Sequence, residues 1–241
     1  MSTRQWLAPF LTLALAFGNA AYASNISSVG TMGQAGFQNL TQDLGVVLSY
    51  KDMMPAAPLG ITGFDVGVTG TDTRLANAQA WHDATGSNSN NLFLPSIQVQ
   101  KGLPLGFDVG VTYSEIPGSN VHVVGGDLSY ALIGGGLLAP ALTIRGTYTK
   151  MTGVSEMGLN TRSAELCLSK GFVFITPYIG VGRVRTVGTP LVGGGTLSAV
   201  SLYSTKEYVG ADFNLGLINV DLEVDRMAGS TSYGANIGWR L

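Results

Sequence analysis

The chain is short of the residues that keep most proteins soluble. Only 12% of its 241 residues are charged, and 13 basic against 15 acidic side chains leave a formal net charge of −2. So small a charge excludes the strongly basic footprint of a nucleic-acid binder. Cysteine is nearly absent: Cys167 stands alone, which rules out an intrachain disulfide and a thiolate metal site. Histidine is almost as scarce, and His82 and His122 have neither zinc spacing nor a calcium-loop context. The glycine clusters fail as phosphate cradles, because Arg185 stands where a dinucleotide loop after Gly180 and Gly182 would need its third glycine. Gly193 to Gly195 precede no Lys-Ser or Lys-Thr. No cofactor and no metal are therefore expected. Long apolar runs are missing too, since no stretch beyond the N-terminus reaches the roughly 18 residues of a membrane helix.

Apolarity is nevertheless plentiful, at 45% of the residues, and it comes in short pieces among 34 glycines. Such thin spreading is the pattern of a membrane barrel, whose strands need only every second residue apolar. The last eleven residues show it best. Tyr233, Ala235, Ile237, Trp239 and Leu241 alternate with Ser232, Gly234, Asn236, Gly238 and Arg240, a period of two with one apolar face. An exposed strand of this kind aggregates unless its edge is paired. Closing the sheet removes the edge, and lipid outside removes the need for a protein cover. A soluble β-sandwich also alternates, but so few Lys and Glu argue against it.

On these residues the segment resembles the C-terminal strand of Gram-negative outer-membrane β-barrels, although such proteins usually end in Phe or Tyr and this chain ends in Leu241. The resemblance implies an all-β, transmembrane, antiparallel up-and-down barrel in the cell outer membrane. Its implied partners are outer-membrane lipid and the barrel assembly machinery, which reads the C-terminal strand. No nucleic-acid partner is expected.

In chain order, residues 1–23 have the parts of a signal peptide: Arg4, an apolar core from Leu7 to Phe17, and Ala21-Tyr22-Ala23 before an expected cleavage ahead of Ser24. Residues 24–43 read as a periplasmic or lumen-inserted segment or a weak first strand. Thr31 and Gln34 suggest a capping box for a short helix through Phe37, Leu40 and Asp43, which Gly33 and Gly36 oppose. The barrel is expected over 44–241, with candidate strands at 44–50, 61–72, 92–101, 106–115, 121–133, 139–150, 161–170, 175–187, 202–213, 217–227 and 231–241. That is an odd number where barrels have an even one. About 12 strands are favoured, because Leu44, Val46, Leu48 and Tyr50 form a stripe, with 10 as the alternative. A repeat of Phe-Asp-Val-Gly-Val-Thr, at Phe64 and again at Phe107, starts two strands at the same side of the membrane. An autotransporter translocator is set aside, because no passenger segment precedes the strands.

Loop lengths put the turns near Gly102, Gly134, Gly171 and Asn214 in the periplasm and 73–91, 116–120, 151–160, 188–201 and 228–230 outside. Phe107, Val109, Val111 and Tyr113, with Val220, Leu222 and Val224, are read as facing lipid. Asp108, Arg145, Arg183, Arg185, Asp221, Glu223 and Asp225 are read as lining the lumen, where acids and bases on opposite walls would tune a pore or pair and fill it. The functions that follow are a narrow pore or small-solute transporter, or else a structural or surface-interaction barrel with a filled lumen. A barrel lipase or protease ranks third. His82-Asp83 lacks the second acidic pair of omptin-like proteases, and His122 has no Ser in a matching motif, so no catalytic residue is assigned.

Overall fold

The computed structural model describes residues 24–136, 139–192 and 194–241, so the expected signal peptide lies outside the described residues. Ten antiparallel strands occur among them: β1 (Phe64–Arg74), β2 (Asn91–Gly102), β3 (Phe107–Glu115), β4 (His122–Gly134), β5 (Ala141–Thr152), β6 (Met157–Ser169), β7 (Ile175–Pro190), β8 (Val200–Asn214), β9 (Ile218–Met227) and β10 (Ser230–Arg240). Each pairs with its sequence neighbours. β10 then pairs with β1, from Asp65 opposite Arg240 to Arg74 opposite Thr231, and closes the barrel. The strand number is thus ten, the alternative, and not about twelve.

The difference lies at 44–50, which holds no strand. Residues Gln34–Val47 form a helix, α1, and the barrel strands begin at Phe64 instead of residue 44. The reason is visible in a longer window. Phe37, Leu40, Leu44 and Val47 recur at spacings of three and four, which a helix places on one face, and all four are buried. Leu44, Gly45, Val46 and Val47 are buried on every side of the last turn, so a short apolar run there mimics a strand stripe. Gly33 and Gly36 do not prevent the helix, because packing outweighs propensity costs of about 1 kcal/mol per glycine.

α1 lies inside the barrel. At the end with long connections, Ile26 N–H donates to Asn120 Oδ1 (3.0 Å) and the N–H groups of Ser27 and Ser28 donate to Ala84 O (3.1 Å each). Val29 N–H donates to Glu156 Oε2 at 2.5 Å. From there the chain descends through α1 and an extended stretch to the opposite end. Ala56 N–H reaches Ser169 Oγ (3.0 Å) and Leu59 N–H reaches Asp108 Oδ1 (3.1 Å) before β1 turns back. Residues 26–59 therefore run through the lumen from one end to the other. The connections 75–90 (carrying helix α2, Ala78–Thr85), 116–121, 153–156, 191–199 and 228–229 share one end, and 103–106, 135–140, 170–174 and 215–217 share the other.

The faces follow the alternation. Val109, Val111, Tyr113, Leu128, Tyr130, Ile144, Leu222, Tyr233 and Trp239 are exposed on the outer wall, while Asp127, Arg145, Thr147, Thr149, Asp221, Glu223 and Asp225 are buried within. An outer wall of exposed aliphatics around a charged interior is inverted relative to a water-soluble protein and matches a barrel solvated by lipid. Arg placed at the middle of that wall should be expelled by hydrocarbon. Val111→Arg, at the centre of β3, is expected to lower folding stability in lipid vesicles by about 2–4 kcal/mol, whereas Thr189→Arg, at the long-connection end of β7 and opposite Gly158, should cost about 0–1 kcal/mol. Urea titration of vesicle-folded protein measures both, and equal losses would remove the lipid belt from this wall.

Candidate functional site

Two different linings meet α1 and the stretch that follows it. In the half nearer the long connections the interior is apolar: Phe37, Leu40, Leu44, Val47 and Leu48 join Ile26 and Val29 in one cluster with Trp81, Leu92, Leu94, Ile116, Val123, Met151, Leu159 and Val200. Two glycines set how close helix and wall come. A Cβ on Gly45 would run into the Thr186 side chain, and one on Gly188 would run into Thr41. Asp43 on α1 accepts from the backbone N–H (2.7 Å) and side-chain amide (2.9 Å) of Asn77, the residue that precedes α2. The helix therefore organises the longest connection as well as the lumen.

The other half is charged. Below α1, Tyr50, Lys51 and Asp52 enter a ring of wall side chains. Lys51 Nζ lies 3.3 Å from Asp225 Oδ2, and Asp52 is paired with Arg145. Arg145 Nε also lies 3.7 Å from Asp127 Oδ2, whose Oδ1 accepts from Tyr50 O–H at 2.6 Å. Gln100 donates to both Asp52 Oδ1 (2.5 Å) and Asp127 Oδ1 (2.9 Å), and Gln98 donates to Asp52 O at 3.0 Å. On the facing wall Lys206 Nζ sits 3.4 Å from Glu165 Oε2 and donates to Tyr50 O at 2.9 Å. Arg240 near the C-terminus bridges Asp65 (2.7 Å) and Asp212 (2.8 Å). Two small cavities border the ring, of about 20 and 10 Å³, each on the order of a single water. At the short-turn mouth a vestibule of about 580 Å³ opens between Pro55, Pro58, Ala139, Asp212 and Arg240.

Of the residues read as lumen-lining, Asp108, Arg145, Asp221, Glu223 and Asp225 face the interior, Asp108 near the short-turn mouth. Arg183 and Arg185 do not: both are exposed on the outer wall. Their parity is that of Ile179 and Val181, so alternation along β7 carries them outward. β7 is 16 residues long where about 9–11 suffice to cross a bilayer, so the strand is longer than the span it needs. Sequence reasoning missed Lys51, Asp52, Asp127, Glu165 and Lys206. For the wall residues the same parity was available, since each alternates with an outward neighbour. For Lys51 and Asp52 no periodicity existed to read.

The fold is that of a small outer-membrane β-barrel. Closure, apolar belt and polar interior carry that statement. No family model matches the chain, and no curated relative matches it by sequence. Among solved structures it is similar to a KdgM porin in complex with disordered oligogalacturonate (TM-score 0.40, 6% identity, 73% of this chain and 98% of that one). It is also similar to the N-terminal β-barrel domain of Pseudomonas aeruginosa OprF (0.33, 12%, 76% and 99%) and to Acinetobacter baumannii Omp33 (0.32, 9%, 75% and 100%). Likeness at this level identifies neither a solute nor an activity.

The two histidines stand apart from the lumen network. His122 Nδ1 lies 3.2 Å from Tyr113 Oη and 3.5 Å from Glu115 Oε2 on the outer wall, and His82 belongs to α2. The charged ring, by contrast, is sensitive to any single deletion. Arg145→Met leaves Asp52 and Asp127 facing each other without a base, and breaking a buried pair this way costs about 3–5 kcal/mol. Arg183→Met on the outer wall is expected to stay within about 0.5 kcal/mol. Unfolding midpoints of the two variants in vesicles should separate accordingly, and a silent Arg145→Met would mean that the ring does not hold the plug.

Proposed function

We propose that this protein is a non-enzymatic barrel, exported by its N-terminal signal peptide, that resides in the outer membrane with its lumen filled and serves as a surface scaffold. The assembly machinery recognises it through β10. Its long connections face outward, and the N-terminal segment emerges among them. The observation that carries this reading is the apolar contact of α1 with the upper wall. Five fully buried side chains on the helix, at about 1.5–3 kcal/mol each, make its withdrawal as costly as unfolding an ordinary domain. Withdrawal would also expose Leu92, Ile116, Val123 and Leu159 to water, a lining that dewets instead of conducting.

A second reading is a narrow, gated pore for small solutes. It is favoured by the charged lower half and by the vestibule at the short-turn mouth. One experiment separates the two. In a Cys167→Ser background, Thr41→Cys with Gly188→Cys brings two thiols together at the helix–wall contact, where a Cβ at 188 would lie 3.1 Å from that of Thr41. That is a few tenths of an ångström short of the usual range for a disulfide, about 3.5 to 4.5 Å. The scaffold predicts no single-channel steps in planar bilayers in either redox state. Steps seen under reduction and abolished by oxidation would establish the gated pore in its place.

The orientation has its own test. A short epitope inserted between Ser24 and Asn25 is expected to be bound by antibody on intact cells, since Ile26 to Val29 are tied to 116–121, 153–156 and α2. Labelling only after the outer membrane is permeabilised would reverse the barrel.

A further inference from the structure

The outer wall carries a cationic row that the scaffold reading does not use. Five of the 13 Lys and Arg residues, Lys150, Arg162, Arg183, Arg185 and Arg226, are exposed on the consecutive strands β5 to β9. In register, Tyr148, Arg162, Arg185 and Tyr203 stand side by side across β5, β6, β7 and β8. Arg162 thus directly opposes Arg185, and like charges so placed repel. Among the described residues no ion pair neutralises Arg162, Arg183 or Arg185.

Their side chains are nonetheless fixed. Arg183 Nη1 donates to Thr205 Oγ1 and Arg185 Nε to Ser201 Oγ, both at 3.0 Å. The Arg162 guanidinium lies 5.5 Å from the Tyr148 ring, and those of Arg183 and Arg185 lie 6.0 and 5.6 Å from the Tyr203 ring. Each guanidinium keeps further N–H groups for an outside acceptor. Toward the short-turn end the row gives way to a groove of about 640 Å³ on the same wall, lined by Leu166, Leu168, Ile179, Val181, Val209 and Val224, with the opposed Glu207 and Arg226 also lining it.

We propose that Arg162, Arg183 and Arg185 bind the phosphate of an anionic lipid in the outer leaflet, with an acyl chain of that lipid in the groove below. Guanidinium forks match phosphate oxygens in pairs, and one phosphate between opposed arginines relieves their repulsion. Tyrosines flanking the row place it at head-group level, where amphipathic rings settle. A free phosphate would satisfy the arginines and leave the groove to nothing in particular. The lipid satisfies both features, at the height where the belt ends.

This inference rests on the barrel lying in a membrane, and its test keeps the two apart. The mature chain is folded into phosphatidylcholine vesicles containing a small fraction of spin-labelled phosphatidic acid, whose head group is a phosphomonoester. The ratio of protein-bound to free label is compared with that of spin-labelled phosphatidylcholine. Phosphatidic acid should be preferred by about fivefold or more. The preference should vanish in Arg162→Gln/Arg183→Gln/Arg185→Gln and survive in the corresponding triple Lys variant. Inorganic phosphate at millimolar concentration should leave it in place. An inserted wild-type barrel without preference, or a preference undiminished in the Gln variant, overturns the site. Complete displacement by inorganic phosphate overturns the lipid as its occupant. If the Gln variant does not fold, loss of the wild-type preference in molar salt supports the site and its persistence overturns it. Failure of the wild-type chain to insert at all would instead refute the membrane barrel.

Discussion

The width of a ten-stranded barrel governs the rest of this molecule. Eight strands enclose an interior that side chains alone can fill, and each added strand widens it. Here many interior residues are too small to close the gap alone, with Thr69, Thr71, Thr73, Thr147, Thr149, Thr161 and Thr186 buried on the wall. A helix is about 10–12 Å across with its side chains, and α1 supplies that volume. Once a helix occupies the upper lumen, its backbone must leave through the lower lumen in extended form. The polar groups of Tyr50 to Asp52 then need partners on the wall. Part of the charged ring, the pairs of Lys51 with Asp225 and of Asp52 with Arg145, is the consequence of the plug.

That dependence explains what could be read from the sequence and what could not. The wall was legible because β1 to β10 each obey a two-residue alternation long enough to outvote local exceptions. Val109, Leu222 and Trp239 stood on the face that their parity gave them. The plug was legible only in part: a short helix through Phe37, Leu40 and Asp43 could be read, but its last turn is buried all round and lacks the polar face that would have carried the helix on to Val47. Leu44, Val46 and Val47 are all buried although they point in different directions. Arg183 and Arg185 illustrate a different failure. Their parity was readable, yet a rule that charges avoid the outer wall holds only within the belt, and β7 is longer than the belt is thick. No periodic signal couples Lys51 to Asp225 or Asp52 to Arg145, since these pairs are far apart in sequence and arise only when the segment threads the closed barrel.

The ring and the outer row also divide the charges of this nearly neutral chain by sign. Buried inside are Asp52, Asp65, Asp127, Glu165, Asp212, Asp221, Glu223 and Asp225, against Lys51, Arg145 and Lys206 and the half-covered Arg240. Exposed outside on β5 to β9 are five bases with Glu207 as the acid among them. Net charge therefore says nothing about either surface. The interior holds more carboxylates than bases, and two of the bases are shared, Arg145 between Asp52 and Asp127 and Arg240 between Asp65 and Asp212, while Lys51 and Lys206 hold one acid each, Asp225 and Glu165. Sharing makes these two centres asymmetric: losing Arg145 or Arg240 strands two acids, while losing one of those acids leaves the base a partner. Mutational sensitivity should thus be asymmetric in the lumen, greater at Arg145 and Arg240 than at any single carboxylate they hold. On the outer wall the asymmetry is opposite in kind. There Arg162, Arg183 and Arg185 have no acid paired with them among the described residues, and whatever neutralises them comes from the medium that the barrel crosses.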